Sequence, residues 1–316
     1  MQEQRVDDSA NEIYEKAKAI VVMEKDASVA LIQRRLKLGY SATLSIMNRL
    51  EVEGVITPLG PSGFTQLTSP YSNKSASLLP MNPNLASMLE KFEGCEGGDP
   101  GSATAPAIWV FGVEPGWSKF DQKSTEAPTN PLDDGYSVET QLQWIYNRNA
   151  FKLLAAIDGV PVSQYREFAN RHQPFVQGSK GYFKGNLYPY ACNNISIWPE
   201  DAATETGLAS KAEYQQWCAQ HRWPVIKNWI DEYQPKLFIG VGNSFRNQYA
   251  LAVLGRKGPF DCQEILVNGY KKRIYLAQEE NRKLAVIPHL SGGSNGLNSD
   301  EATQRVGEIL REFLRR

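Results

Sequence analysis

Apolar positions change their period along the chain. Within the first 70 residues the spacing is helical: Ile13, Ala17, Ile20 and Val21 share one face and predict a first helix. Ser28 is placed to cap a second helix, "VALIQRRLKL", which Gly39 ends. A third starts near Ser41 and runs through Leu44, Met47 and Leu50 to Gly54. The short runs "VIT" and "FTQL", joined by "PLGPSG", then predict a two-stranded hairpin with a Gly/Pro tip. Three helices followed by a hairpin is the order of a winged helix, whose turn between helices sets a recognition helix in the major groove.

Further on, apolar runs become short and are bounded by turn residues. They are "AIWVFGV" (107–113), "NLYPYAC" (186–192), "KLFIGVG" (236–242), "KRIYLAQ" (272–278) and "KLAVIPH" (283–289). Helical patterns separate several of them, including "ETQLQWIYNRNAFKLLAAI" and "KAEYQQWCAQHRWPVIKNWIDEY". The chain ends in "SDEATQRVGEILREFLRR", with Ser299 as cap, acids in its first turn and arginines in its last. Strands alternating with helices predict an α/β fold with a mostly parallel sheet. Between the two patterns, "TSPYSNKSASLLPMNPN" carries neither period and reads as a linker. The expected organisation is a winged-helix domain over 1–70, a linker over 71–84 and an α/β domain over 85–316.

Composition narrows the class. Of 316 residues, 41% are apolar, enough to build cores and to exclude wholesale disorder. The net charge is −1, so a polyanion must be met by local basic patches rather than a global field. No apolar run approaches the roughly 20 residues that span a bilayer, and the acidic start "MQEQRVDDSANEIYEK" is unlike a signal peptide. A cytoplasmic, nucleoid-associated protein with no membrane partner is expected. Four scattered cysteines and three histidines signal no metal site, and no cofactor is expected.

Charge is local in the N-terminal module. Arg34, Arg35, Lys37 and Arg49 stand between Leu31 and Leu50 with no acid among them. Such a window is either a solvated helix face or a surface for phosphates. The stretch "ASVALIQRRLKLGYSATLSIMNRLEVEGVITPLGPSGFTQL" resembles the C-terminal gamma domain of FtsK-type DNA translocases, a winged helix that reads short G-rich DNA signals, over about residues 10–67. The resemblance implies binding to double-stranded DNA through Arg34, Arg35, Lys37, Tyr40, Ser41, Thr43 and Arg49. Where that family has Asn-Arg-Ala after Gly-Tyr, this chain has Ser41, Ala42 and Thr43, so the family's site preference is not implied.

In parallel sheets ligands bind beyond the carboxyl ends of strands. That rule selects Glu114-Pro115-Gly116, Gly242-Asn243-Ser244 and His289-Leu290-Ser291-Gly292, each of which alone is an ordinary turn. As an ordered set they resemble the uracil-DNA glycosylase superfamily over about residues 84–316. The first motif falls on Gly112-Val113-Glu114-Pro115-Gly116, the base-reading Asn on Asn186, and the second motif on His289-Leu290-Ser291. The resemblance implies Glu114 beside the sugar to orient water, and His289 to stabilise the departing base. It implies Asn186 at the edge of a flipped or modified base, with Trp117 and Phe120 stacking on it and Leu297 wedging the duplex. Leu290 replaces the family's Pro, and Gly116 stands where the classical uracil enzymes carry a bulky Tyr. Two functions are therefore expected of this region: a DNA glycosylase acting on an uncommon or modified base, or the base- or nucleotide-sensing part of a non-catalytic DNA-binding regulator.

Overall fold

A computed structural model of the chain describes residues 11, 13–22, 27–57, 68, 82–116, 136–192 and 196–316, with the backbone alone for Ala30, Arg34, Tyr40 and Ser41. The chain divides into two compact units, Met1–Asn82 with Leu208–Gln216, and Pro83–Gly207 with Trp217–Arg316.

In the first unit α1 covers residues 13–22, α2 Val29–Leu36 and α3 Tyr40–Val52. The Ser28 hydroxyl accepts the Leu31 N–H at 3.2 Å and caps α2 as expected. The helix stops earlier than the sequence suggests: Lys37, at φ 53°, takes the left-handed turn expected of Gly39. Tyr14, Ala17, Val21, Ile32, Met47 and Leu50 pack into one core, closed by Val55 and Ile56. The Thr68 N–H donates to the Val55 carbonyl at 2.9 Å, a pairing placed where the hairpin should close. The expected hairpin tip, 58–67, and most of the linker lie outside the described residues.

The second unit is built on one seven-stranded sheet. Its strands are β1 (Gly97–Gly98), β2 (Ile108–Gly112), β3 (Tyr182–Asn186), β4 (Leu237–Val241), β5 (Asp261–Val267), β6 (Tyr270–Glu279) and β7 (Arg282–Ile287), in the order β1-β3-β2-β4-β7-β6-β5. The four central strands β3, β2, β4 and β7 run parallel. β1 and the β5–β6 hairpin add antiparallel edges, so the sheet is mixed around a parallel core.

Residues facing opposite sides of β2 meet different layers. Ile108 and Val110, with Ile239 and Val241 of β4, join the core that includes α4 (Ile145–Asp158) and α7 (Asp300–Arg315). Those two helices touch closely because residue 307 is Gly: a Cβ there would fall 2.3 Å from Ala156 Cβ. Trp109 and Phe111 face the other way into an aromatic layer, with Phe111 and Phe238 ring centroids 4.6 Å apart. Tyr249 of α6 (Arg246–Leu254) reaches the sheet from that side, donating to Phe111 O at 3.0 Å. Ser299 caps α7 as its sequence predicts, accepting the Ala302 N–H at 3.2 Å. One strand lies off its expected place: the segment assigned to 186–192 ends where it was expected to begin, because Tyr182–Asn186 is the paired stretch.

Candidate functional site

The carboxyl ends of the parallel core gather the chemistry. β2 ends at Gly112, directly paired with Asn186 at the end of β3. The two chains stay together beyond the sheet: Leu187 N–H donates to Gly112 O and Tyr188 N–H to Val113 O, both at 2.9 Å. Cys192 N–H donates to Pro115 O at 3.3 Å. The loop carrying Glu114 is thereby fixed alongside the loop after Asn186. Glu114 is half-buried, and its charge adds to the burial and the Cys218 thiol that push the Tyr188 hydroxyl pKa upward. Gly116 is exposed with open space where a Cβ would stand. Trp117 and Phe120, the expected stacking residues, lie outside the described residues.

Asn186 is 2% exposed. Its side-chain amide donates to Gly94 O at 3.1 Å and to Glu96 Oε1 at 3.0 Å. Both partners are acceptors, so the nitrogen must face them and Oδ1 must face Gly112. Residue 112 has to be Gly: a Cβ there would lie 2.6 Å from Asn186 Oδ1 and 3.7 Å from the Tyr146 hydroxyl.

Behind Asn186 runs a polar chain that the sequence did not single out. Lys184, on the same face of β3, is buried and pairs with Glu96, while its ammonium also donates to Asn147 Oδ1 at 2.9 Å. The ammonium lies 4.9 Å from the centre of the Tyr146 ring. That hydroxyl is buried without a hydrogen-bond partner among the described residues, and burial raises its pKa, helped by the Glu96 charge. The Tyr146 ring stands edge-on to His289, with centroids 6.4 Å apart. Tyr146 therefore links the Asn186 end of the site to the His289 end. A lysine set between aromatic residues in "YFKGN" was the available signal, since a buried strand rarely carries an ammonium without a purpose-built partner.

His289 follows β7. Its Nδ1 lies 2.7 Å from Ser291 Oγ and accepts the Ser291 N–H at 3.3 Å. Nδ1 is therefore the acceptor nitrogen, and the neutral ring carries its proton on Nε2. The residue reaches the surface, yet desolvation of the ring lowers its pKa below the usual 6.5. Leu290, standing where Pro was expected, is fully buried, and its carbonyl accepts from Asn149 Nδ2 at 2.7 Å. The turn is held by burial and hydrogen bonding in place of a ring constraint.

Two expected residues, Leu297 and Thr43, are buried away from the surface their roles need, and Arg49 is exposed but engaged within its own unit. Leu297 is fully buried in the core and its N–H donates to His289 O at 2.7 Å, so it braces the His289 turn and offers no exposed wedge. Thr43 is fully buried, its hydroxyl donating to Gly39 O at 3.0 Å within the helix start. Arg49 is engaged inside its own unit: it pairs with Glu53 at 2.9 Å, donates to Asn11 at 2.8 Å and lies 3.7 Å over the Tyr14 ring. Arg35 and Lys37 are exposed; the side chains of Arg34, Tyr40 and Ser41 lie outside the described residues. At the Gly242-Asn243-Ser244 turn the Asn243 amide donates to Arg273 O at 3.0 Å.

With three helices and the start of a strand pairing in place, comparison with known proteins bears on the first unit. Residues 8–64 match the Ftsk gamma domain. Over 61 residues the chain is 39% identical to the DNA translocase FtsK of Caulobacter vibrioides, which is 19% of this chain and 7% of that protein. The same-named protein of Bradyrhizobium diazoefficiens is 39% identical over 56 residues, 18% of this chain and 7% of its own length. That of Lactiplantibacillus plantarum is 34% identical over 77 residues, 24% and 9% respectively. The chain spans less than a tenth of the length of these curated relatives. The gamma-domain match takes in all of α1, α2 and α3. Among the described residues, no helix is long and apolar enough to cross a membrane.

Proposed function

We propose that the chain binds double-stranded DNA through its gamma domain and that its second unit is a DNA glycosylase for an uncommon or modified base. One observation carries the enzymatic half: the Glu114 loop, Asn186 and His289 leave the carboxyl ends of β2, β3 and β7 on one parallel core, with Tyr146 between the last two. The DNA-binding half rests on the gamma-domain match and on exposed Arg35 and Lys37 at the end of α2.

The residues divide the reaction among them. As the bond from C1′ to the base nitrogen lengthens, positive charge grows on the sugar and its electron pair leaves with the base. The Glu114 carboxylate stabilises that cation and orients a water, whose oxygen bonds to C1′ while its proton passes to the carboxylate. His289, neutral with its proton on Nε2, donates to the base oxygen that gains negative charge. A neutral donor suits this task, because a charged imidazolium would have to be desolvated first.

The test is release of base from a panel of oligonucleotides, each carrying one modified base, read as alkali-labile abasic sites. Wild type should cleave at least one. Glu114→Gln should lower release by about a hundredfold with DNA affinity unchanged. Replacing Arg35 and Lys37 together by Ala should weaken duplex binding and flatten its salt dependence. A second reading, a regulator that senses a base without cleaving it, is favoured by the commitment of both Asn186 amide hydrogens inside the protein. Saturable base binding with no release from any substrate would select it.

A further inference from the structure

Helix α3 of the first unit turns one face into the core and leaves the other to solvent. Thr43, Ile46, Met47 and Leu50 are buried, whereas Ala42, Leu44, Ser45 and Asn48 are exposed. No acid stands between Tyr40 and Leu50, while Glu51 is exposed in the last turn, where it would repel phosphates. The N-terminal half is therefore the part that can approach a duplex, and in helix-turn-helix docking it is the part that meets base edges. Side-chain chemistry decides what that half can read. Guanine is recognised above all by an Arg or Lys that donates to O6 and N7 together. The one cation of α3 is Arg49, and it is engaged by Glu53, Asn11 and the Tyr14 ring. Asn48 instead offers an amide donor and acceptor, the pair that matches adenine, and Leu44 offers methyl groups that match the C5-methyl of thymine. Four residues apart, they share one face of the helix. They stand about 6 Å apart along its axis, roughly two base pairs at about 3.4 Å each.

We infer that α3 reads an A·T-containing sequence in the major groove, with Asn48 on an adenine and Leu44 on the methyl group of a nearby thymine. This rests on the gamma domain binding duplex DNA and adds the class of sequence it prefers. Asn48 Nδ2 donates to adenine N7 while its Oδ1 accepts from the N6 amine. A guanine in that place offers acceptors at both N7 and O6, so Oδ1 would face O6 with no hydrogen between them. Arg35 and Lys37, exposed at the end of α2, supply phosphate contacts that are common to every sequence.

The experiment selects duplexes from a random pool with the full chain, then measures the affinity of a selected duplex and its variants at one salt concentration. The selected sequences should share an A·T pair whose change to G·C weakens binding by about five- to a hundredfold. Replacing its adenine by 7-deazaadenine, which lacks the N7 acceptor, should weaken binding by a smaller factor. Asn48→Ala should bind the selected duplex and its G·C variant alike, and Leu44→Ala should lower the preference at the thymine alone. Both side chains are exposed, so neither change should move the melting temperature. Selection of G-rich sequences, or an A·T preference that Asn48→Ala leaves intact, would overturn the inference. Salt-dependent binding with no sequence preference overturns it too, leaving the gamma domain a DNA binder and the α3 face to a protein partner. No duplex binding even at low salt removes the DNA-binding reading as well.

Discussion

Gly112→Ala adds one methyl group at the point where β2, β3 and α4 meet. The new carbon would lie 2.6 Å from Asn186 Oδ1, some 0.8 Å short of the 3.4 Å at which ordinary contact begins. Asn186 has little room to retreat, since its amide is held at 3.1 and 3.0 Å by Gly94 and Glu96, and its backbone is paired with residue 112 itself. Overpacking of this kind costs about 1–3 kcal/mol, and losing one of the two hydrogen bonds adds roughly 1 kcal/mol. For a unit of about this size, each kcal/mol moves Tm by roughly 2–4 °C. A fall of roughly 5–10 °C in the transition of the second unit is therefore expected by scanning calorimetry, with the gamma-domain transition unmoved. If Gly112→Ala melts within about 1 °C of wild type, Asn186 is not held against residue 112 in the way its hydrogen bonds require.

Leu297→Ala should destabilise by about 2–5 kcal/mol, as for a buried leucine, read from the urea midpoint; a stable variant with impaired DNA binding would restore the wedge role that its burial denies. Lys184→Met should cost about 1–3 kcal/mol, below the figure for a fully buried pair because Glu96 keeps 31% exposure. Adding Glu96→Gln to Lys184→Met should recover part of that loss, and strictly additive effects would argue against coupling between the two. Desolvation lowers the His289 pKa, so its neutral form, and any stability it lends, is present above the unfolded value of 6.5 and is lost as pH falls through the lower folded value. The acid limb of the base-release profile should then lie below pH 6.5 and vanish in His289→Asn; a limb at or above 6.5 would show that His289 is not the group titrating.

The parts of the fold legible in the sequence were those with an uninterrupted apolar signal. "IWVFG", "LFIGV" and "RKLAVI" became buried strands almost as bounded, and Ser28 and Ser299 capped the helices they precede. β3 was displaced because "YFKGN" buries a lysine, a glycine and an asparagine, whereas the following "LYPYAC" looks more strand-like yet makes the turn carrying the site. β5 went unrecognised because it is an edge strand with only Ile265 and Val267 buried. Among the candidate residues, Glu114 and His289 came from the strand-end rule, which depends on topology alone, whereas Asn186 came only from the resemblance, because its strand was expected to begin there. That rule had no means of finding Tyr146 or Lys184, whose roles come from the packing of α4 over β3, or Glu96, which arrives from a short antiparallel edge.

The replacement of Pro by Leu290 in the second motif bears on whether the site was kept for use. A proline there would fix the turn through its ring, at no cost to neighbours. This chain fixes the same turn by four separate contacts: Leu290 buried in the core, Asn149 on its carbonyl, the Leu297 N–H on His289 O, and the Ser291 N–H on the imidazole. The first three brace the turn itself. The last one satisfies a backbone N–H, as side-chain bonds in turns do, and it also sets the tautomer, with Nδ1 as acceptor and the proton on Nε2. At Gly112, which no positive φ requires, the missing Cβ lets Asn186 Oδ1 lie against the backbone. Both positions hold polar atoms in fixed places at the carboxyl ends of the parallel strands, which is the arrangement the proposed site relies on.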